Sequence, residues 1–345
     1  MRTSSHALLL VITIALLLFS SCQRGEANYA FPSFPRHETL TAELLQSDLA
    51  INPPPDMCCT EKFILLLSLK EDKLLQIYDK ETGAFLRSQI NFGKGNNEFT
   101  YISDLSYDKD HGILSFVDHE KQCLVRCHLT DSATCCRLES TQKGKTEPKF
   151  RTMLPLPGKR HLVAQIPIDG EPWLTAYDST GQVLTTCSQG FKDPLESSSL
   201  DLQAYAVTSP DGRHFAQTGI FGSILQIFDI QDTEISQRFI GRYIRPIGRM
   251  EGWAFNQTAE TVLGACDLGA SNHYLYASMV NSVREDKSTI VVWNWAGEPI
   301  AQFETGKLVA KFCIDPDDES CLYAFSVQEG QFLLEKYRLP LRRNN

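Results

Sequence analysis

Short runs of apolar residues, some continuous and some alternating with polar ones, recur along most of the chain between Asp, Gly, Pro and Asn. Phe63–Leu69, Leu74–Tyr78, Ile113–Val117, His161–Ile166, Ile224–Phe228 and Thr289–Trp293 are examples. Runs of that length, closed by turn residues, read as β-strands. No long stretch keeps a helical period. Ala42–Leu49 is ambiguous, because Leu44, Leu45 and Leu49 also suit a short helix.

The strands come in a repeat: strand, aromatic residue, Asp or Asn, short turn, strand. The copies are LLQIYDKETGAFL (74–86), WLTAYDSTGQVL (173–184), ILQIFDIQDTEI (224–235) and IVVWNWAGEPI (290–300), with weaker ones at 113–124 and 322–333. In register, Asp79, Asp118, Asp178, Asp229, Asn294 and Ser326 share one column. An Asp or Asn side-chain oxygen accepts from backbone N–H groups ahead of it and starts a turn, and a following glycine takes the positive-φ position. A second set of turns precedes the first, at 107–112, 156–158, 209–212 and 315–318. Two hairpin turns per repeat make four up-and-down strands. Six such repeats predict an all-β, six-bladed β-propeller of four-stranded antiparallel blades. Uneven spacing puts longer loops near 141–150, 191–200 and 267–288. The sixth repeat is short of a strand and borrows one from about Glu38–Ile51, which removes two open sheet edges.

Composition changes the picture at the N-terminus. After Arg2 comes an apolar run, Ala7–Phe19, too short to span a bilayer comfortably, ending in Ser20-Ser21-Cys22. This resembles the lipobox of bacterial lipoproteins, which implies removal of residues 1–21 and acylation of Cys22; an ordinary signal with an incidental cysteine is the alternative. Residues 22–36 then form a lipidated tether and 37–345 the propeller. The whole chain has a formal net charge of −9; losing Arg2 leaves 32 basic against 42 acidic residues, or −10. An acidic chain without a Lys/Arg cluster argues against nucleic acid. Eleven cysteines in an exported chain raise the question of disulfides; small buried hydrophobes are the favoured reading, and Cys313 and Cys321, flanking the 315–319 turn symmetrically, are the best candidate bridge, with Cys127 and Cys135 a second pair of that symmetry.

The glycine-rich stretch Phe92-Gly93-Lys94-Gly95-Asn96-Asn97-Glu98-Phe99 raises the question of a phosphate loop. A phosphate site needs a helix N-terminus behind the glycines. Thr100, Tyr101 and Ile102 are strand formers instead, so Gly93, Gly95, Glu98 and Phe99 read as a structural turn between blades, with no nucleotide. The stretch is similar to the Gly-x-Gly-Pro-x-Glu-Phe turn of TolB-like six-bladed propeller lipoproteins of Bacteroidetes (the BF3164-type group), with Asn96 in place of proline. That resemblance implies the fold and an envelope address, and carries no catalytic residues.

Catalytic signatures are absent: no Gly-x-Ser-x-Gly, no His-x-x-x-His, no Cys-x-x-Cys. The acidic turns at Asp108, Asp110, Asp315, Asp317 and Asp318 could attract calcium but lack the EF-hand pattern and read as solvated hairpin tips, so no cofactor is expected, with calcium or another divalent ion as the open alternative. Trp295 is a candidate for an exposed rim position. The expected function is a non-enzymatic binding or scaffold module, lipid-anchored to the outer membrane on its periplasmic or surface face, with a protein or glycan ligand on one mouth. The alternative is a metal-dependent hydrolase or lyase at the channel mouth. Acids from at least three blades ringing a divalent ion would favour the second; a broad metal-free face with exposed aromatics would favour the first.

Overall fold

The computed structural model describes residues 28–47, 49, 54, 56–68, 72–129, 137–143, 150–165, 172–188, 196, 204–251, 254–282 and 287–341. They form six antiparallel blades around a ring. Blade one is Met57–Cys59, Phe63–Leu67, Lys73–Asp79 and Phe85–Phe92, from the innermost strand outward. Blade two is Ile102–Asp108, Ile113–Asp118, Cys123–His128 and Arg137–Lys143; blade three is Phe150–Pro155, His161–Gln165, Leu174–Tyr177 and Val183–Cys187. Blade four is Ala204–Thr208, His214–Gly219, Ser223–Ile230 and Ile235–Ile244; blade five is Leu263–Ala270, Tyr274–Ser282, Thr289–Asn294 and Pro299–Glu304. Blade six takes Leu308–Ile314, Cys321–Gln328 and Gln331–Arg338 from the C-terminal part of the chain.

Burial follows position within the blade. The middle strands are covered on both faces by neighbouring blades, which is why Ile64–Leu67 and Ile113–Asp118 are buried without alternation. The outer strand Phe85–Phe92 is open at both ends. Phe116, Phe215, Phe228, Trp293, Phe303 and Phe325 are fully buried in these middle layers.

The N-terminal segment closes the ring. Ala42–Gln46 is the fourth strand of blade six, antiparallel to Gln331–Arg338, with Ala42 opposite Tyr337 and Leu44 opposite Glu335. Ala42–Gln46 is therefore strand, since the free edge of blade six supplies hydrogen bonds that a short helix would forgo. His37–Thr39 adds a fifth strand, parallel to Pro299–Glu304 of blade five. From Asn28 onward the stretch expected as a tether is packed: Phe31 lies on Tyr243 and Phe34, buried, on Trp293.

Two details of the repeat differ from the sequence reading. Asp79, Asp178, Asp229 and Asn294 end or follow third strands, but Asp118 ends the second strand of blade two and Ser326 lies in the second strand of blade six. A similar Asp-turn logic at a different hairpin mimics the repeat. Residues 267–282 are the first hairpin of blade five rather than a loop, and the long connection of that region, 245–262, carries the small hairpin Arg249–Glu251/Ala254–Asn256.

Candidate functional site

The six innermost strands neighbour one another in ring order and wall a central channel. Strand direction alternates within each blade, so one mouth collects the first and third hairpin turns. The other mouth collects the crossings between blades.

The hairpin mouth is tied together. Lys80 Nζ, buried, lies 3.2 Å from Asp315 Oδ1, and Lys109 pairs with Asp317, joining blades one and two to the same turn of blade six. Tyr107 donates to Glu61 at 2.7 Å, Ser271 donates to Glu319 at 2.7 Å, and the Asp211 N–H donates to Asn272 at 2.9 Å. The acidic turn 315–318 is thus occupied by protein cations, Asp318 taking Arg338 at 2.6 Å.

Toward the crossing mouth, five blades each bring one polar side chain into a connected cluster: Asp56, Asp104, Tyr205, Asp267 and Lys311. Lys311 Nζ is 3.0 Å from Asp267 Oδ1 and lies over the Tyr205 ring, 4.2 Å from its centroid. Asp267 also accepts the Phe312 N–H at 2.9 Å. Asp56 accepts the Met57 N–H at 2.7 Å and the Leu105 N–H of blade two at 2.5 Å. Asp267 and Lys311 are buried, whereas Asp56, Asp104 and Tyr205 keep partial exposure.

Electrostatics distinguishes the two buried-side carboxylates. Burial pushes Asp56 up from its ordinary 3.8 to about 7, with Lys311 pulling down and the Asp267 and Asp104 charges pushing further up. Burial also raises Asp267, against the pull of Lys311 and the Phe312 N–H. Lys311 is raised: burial disfavours its charge, but Asp267, Tyr205 and Asp56 together outweigh that. Asp267 and Asp56 both act on the one ammonium, Asp104 adds its charge to Asp56, and Asp56 absorbs the imbalance by holding a proton near neutrality. Among the described residues, no group of three or more His, Cys, Asp and Glu is arranged to hold a metal ion.

Beside the cluster, Ser103 Oγ is 2.7 Å from His119 Nε2 and 2.8 Å from Asp104 Oδ2. A bulge between Ser103 and Ser106, with Asp104 at φ 56°, bends the strand here. Ser103 Oγ donates to Asp104 Oδ2, and its bond with His119 Nε2 takes its direction from the imidazole tautomer. A hydrolytic pair needs the histidine to accept from the serine. The tilted Tyr101 ring, 4.9 Å from the imidazole, is exposed at this mouth, as is Phe92.

The glycine-rich stretch is the crossing from blade one to blade two. Glu98 folds back so that its carboxylate accepts the Gly95 N–H at 2.9 Å, and a Cβ on Gly93 would stand 2.2 Å from Glu98 Oε2. Phe99 is buried edge-on against Phe116, and Lys121 covers its ring at 4.6 Å. The chain carries a strand into blade two rather than a helix, leaving no anion cradle. The Cys313–Cys321 bridge is not formed: both are free, and the register puts Cys313 opposite Tyr323 and Cys321 opposite Arg338. The hairpin is two residues tighter than the cysteine spacing suggests, with the Asp315 N–H donating to the Cys321 carbonyl. Cys127 is disulfide-bonded, its partner lying outside the described residues. Cys22 also lies outside them. Trp295 is buried and donates its indole N–H to the Ser271 carbonyl at 3.1 Å.

Sequence reading missed the channel cluster. Its signal was a lone charge within an apolar strand, Asp267 in LGACDLGA and Lys311 in LVAKFCI, each with a partner about one blade away.

This architecture is a six-bladed β-propeller. No family model and no curated protein matches the sequence. Solved structures do resemble the fold. A Bacteroides fragilis protein named as exported has a TM-score of 0.57 at 12% identity, over 89% of this chain and 99% of that one. A member of the DUF4221 family from Bacteroides vulgatus gives 0.53 at 10% identity, over 87% and 97%. The β-propeller domain of Myceliophthora thermophila Cps50 (Swd1) gives 0.52 at 11%, over 86% and 99%.

Proposed function

We propose that this chain is a non-enzymatic binding or scaffold module of the bacterial envelope, anchored to the outer membrane through acylated Cys22, which engages a protein or glycan ligand at the crossing mouth. One observation carries the reading: five blades bring polar side chains to a cluster whose partly exposed members are Asp56, Asp104 and Tyr205, with exposed Tyr101 at the same mouth. A rigid ring that presents hydrogen-bonding groups and aromatic faces from several loops suits recognition. The envelope address is supported by the lipobox-like start and by the disulfide at Cys127, which an oxidising compartment sustains. The Gly93–Phe99 turn supports membership of the TolB-like lipoproteins. The neighbours' fold, shared with scaffold-type propellers, agrees with binding.

The test compares the full chain with its Asp104→Asn, Asp56→Asn double variant on a glycan array and in capture from envelope extract, alongside metal analysis. A ligand held by the wild type and lost by the folded variant supports the reading. Equal retention by both, or stoichiometric tightly bound metal whose removal by EDTA lowers the melting temperature, overturns it.

A further inference from the structure

The seam between blade one and blade six joins the first and last blades of the chain, and the innermost strand on each side of it carries a cysteine. Side chains alternate along Met57-Cys58-Cys59. Cys58 packs toward blade two, with Leu114 and Phe116, while Cys59 packs toward blade six, with Tyr323 and Phe325. Across the seam, Phe312 packs toward blade five, with Tyr276 and Val292, and Cys313 toward blade one, with Ile64 and Tyr78. Cys59 and Cys313 therefore face each other. Both are buried, and both are free thiols in this structure.

The two thiols are already in contact. Cys59 Sγ donates to the Ile314 carbonyl at 3.1 Å, and the Cys313 thiol shares a hydrogen bond with Cys59. The strands around them are held in place: Lys80 of blade one, buried, reaches Asp315, two residues past Cys313, at 3.2 Å. The other nearby cysteines are set apart from this pair. Cys58 turns to the opposite face of its strand, and Cys321 stands opposite Arg338 in the second strand of blade six. Facing cysteines on fixed strands, with their thiols in contact, are the geometry from which a disulfide closes.

We propose that Cys59 and Cys313 form an inter-blade disulfide, which joins the first innermost strand of the ring to the last. Two S–H bonds are lost and one S–S bond forms; two protons and two electrons pass to a disulfide donor of the thiol–disulfide oxidoreductase class, which is reduced to two thiols. The disulfide at Cys127 calls for the same donor. Burial pushes the Cys313 thiol well up, which suppresses its thiolate and slows exchange once the ring has closed. The bond is therefore made while blade six is docking and both thiols still meet water, and burial shields it from reductant afterwards. It closes a loop of about 250 residues, and long loops restrain the unfolded chain most. Asp56 lies three residues before Cys59 and Lys311 two before Cys313, so the same bond fixes the two blades that carry these members of the channel cluster.

The experiment refolds full-length protein in detergent, from its reduced and unfolded state, in a mixture of reduced and oxidised glutathione. Remaining thiols are blocked with iodoacetamide in denaturant, and the linkages are mapped by mass spectrometry of a proteolytic digest. A peptide pair joined through Cys59 and Cys313 is expected, with Cys58 and Cys321 recovered alkylated. The oxidised wild type should melt roughly 10 °C above Cys59→Ala and Cys313→Ala, a gap that narrows when all three are refolded in reductant. Oxidised glutathione given only after folding in reductant should link the pair about an order of magnitude more slowly than during refolding. Cys59 and Cys313 both recovered alkylated from the wild type, or joined to other cysteines, overturn the pairing whatever the state of Cys127. A melting gap that is equal with and without reductant overturns the bond as a lock on the seam. Linkage as fast in folded protein as during refolding overturns its formation at docking.

Discussion

Asp56→Asn isolates the charge imbalance in the channel. In the folded state the Asp56 carboxyl titrates at about 7, against an ordinary 3.8. Between those values the native protein holds a proton that the unfolded chain has released, so stability falls as pH rises from about 4 to 7 and is flat above. Roughly three pH units at 1.36 kcal/mol each give up to about 4 kcal/mol, an upper figure because the side chain keeps some exposure to the channel. Asparagine imitates the protonated acid: it is neutral, and one oxygen accepts freely from either the Met57 or the Leu105 N–H. The variant should match the wild type near pH 4 and exceed it by several kcal/mol at pH 8 (of the order of the ~4 above). Urea denaturation of both proteins at half-unit steps from pH 4 to 9 reads the difference directly. A difference that stays constant across the window would refute the claim that Asp56 carries the unbalanced charge.

His161 has the opposite sign. Burial, assisted by the Arg126 charge, lowers it to about 4, so the stability it permits is present above pH 6.5 and lost as pH falls toward 4; His161→Phe should remove that slope and expose the opposing Asp56 slope, a net fall in stability from pH 4 to 6.5, in the same titration. The two residues offset each other between pH 4 and 6.5, and the double variant should recover a wild-type-like slope. Lys311→Met leaves Asp267 buried without its cation and should destabilise by roughly 3–5 kcal/mol, with part regained by adding Asp267→Asn, measured as a double-mutant cycle in urea. Gly264→Ala places a Cβ 1.7 Å from the Gly222 carbonyl oxygen, where blade four meets blade five, and should lower stability by about 2 kcal/mol or more, with faster amide exchange across that seam.

The propeller was legible in the sequence because its determinants are local. Each Asp-turn caps its own hairpin, as Asp79 does for Glu81 and Thr82 and Asp178 for Thr180 and Gln182. The missing sixth-blade strand was legible by counting edges. The channel was not, because its members lie far apart in sequence and meet only when the ring closes: Asp56 and Lys311 belong to blades that are neighbours in space and at opposite ends of the chain. Asp118 and Ser326 misled for the converse reason, since their local pattern says nothing about which strand of the blade precedes the turn. Cys313 and Cys321 stay free, buried side chains because the turn sets Cys321 against Asp315 rather than Cys313.

The strand Ala42–Gln46 is among the first parts of the fold to leave a ribosome or a translocation pore, and its partner Gln331–Arg338 is among the last. About 290 residues separate Leu44 from the Glu335 it faces, so the step that seals the ring carries the longest loop closure in the molecule. Five blades can collapse while the chain is still being delivered, but the circle stays open like an unfastened buckle until the end arrives. During that interval the outer edge of blade six is the surface at which two copies could exchange strands, and the rate of sealing sets how long the hazard lasts.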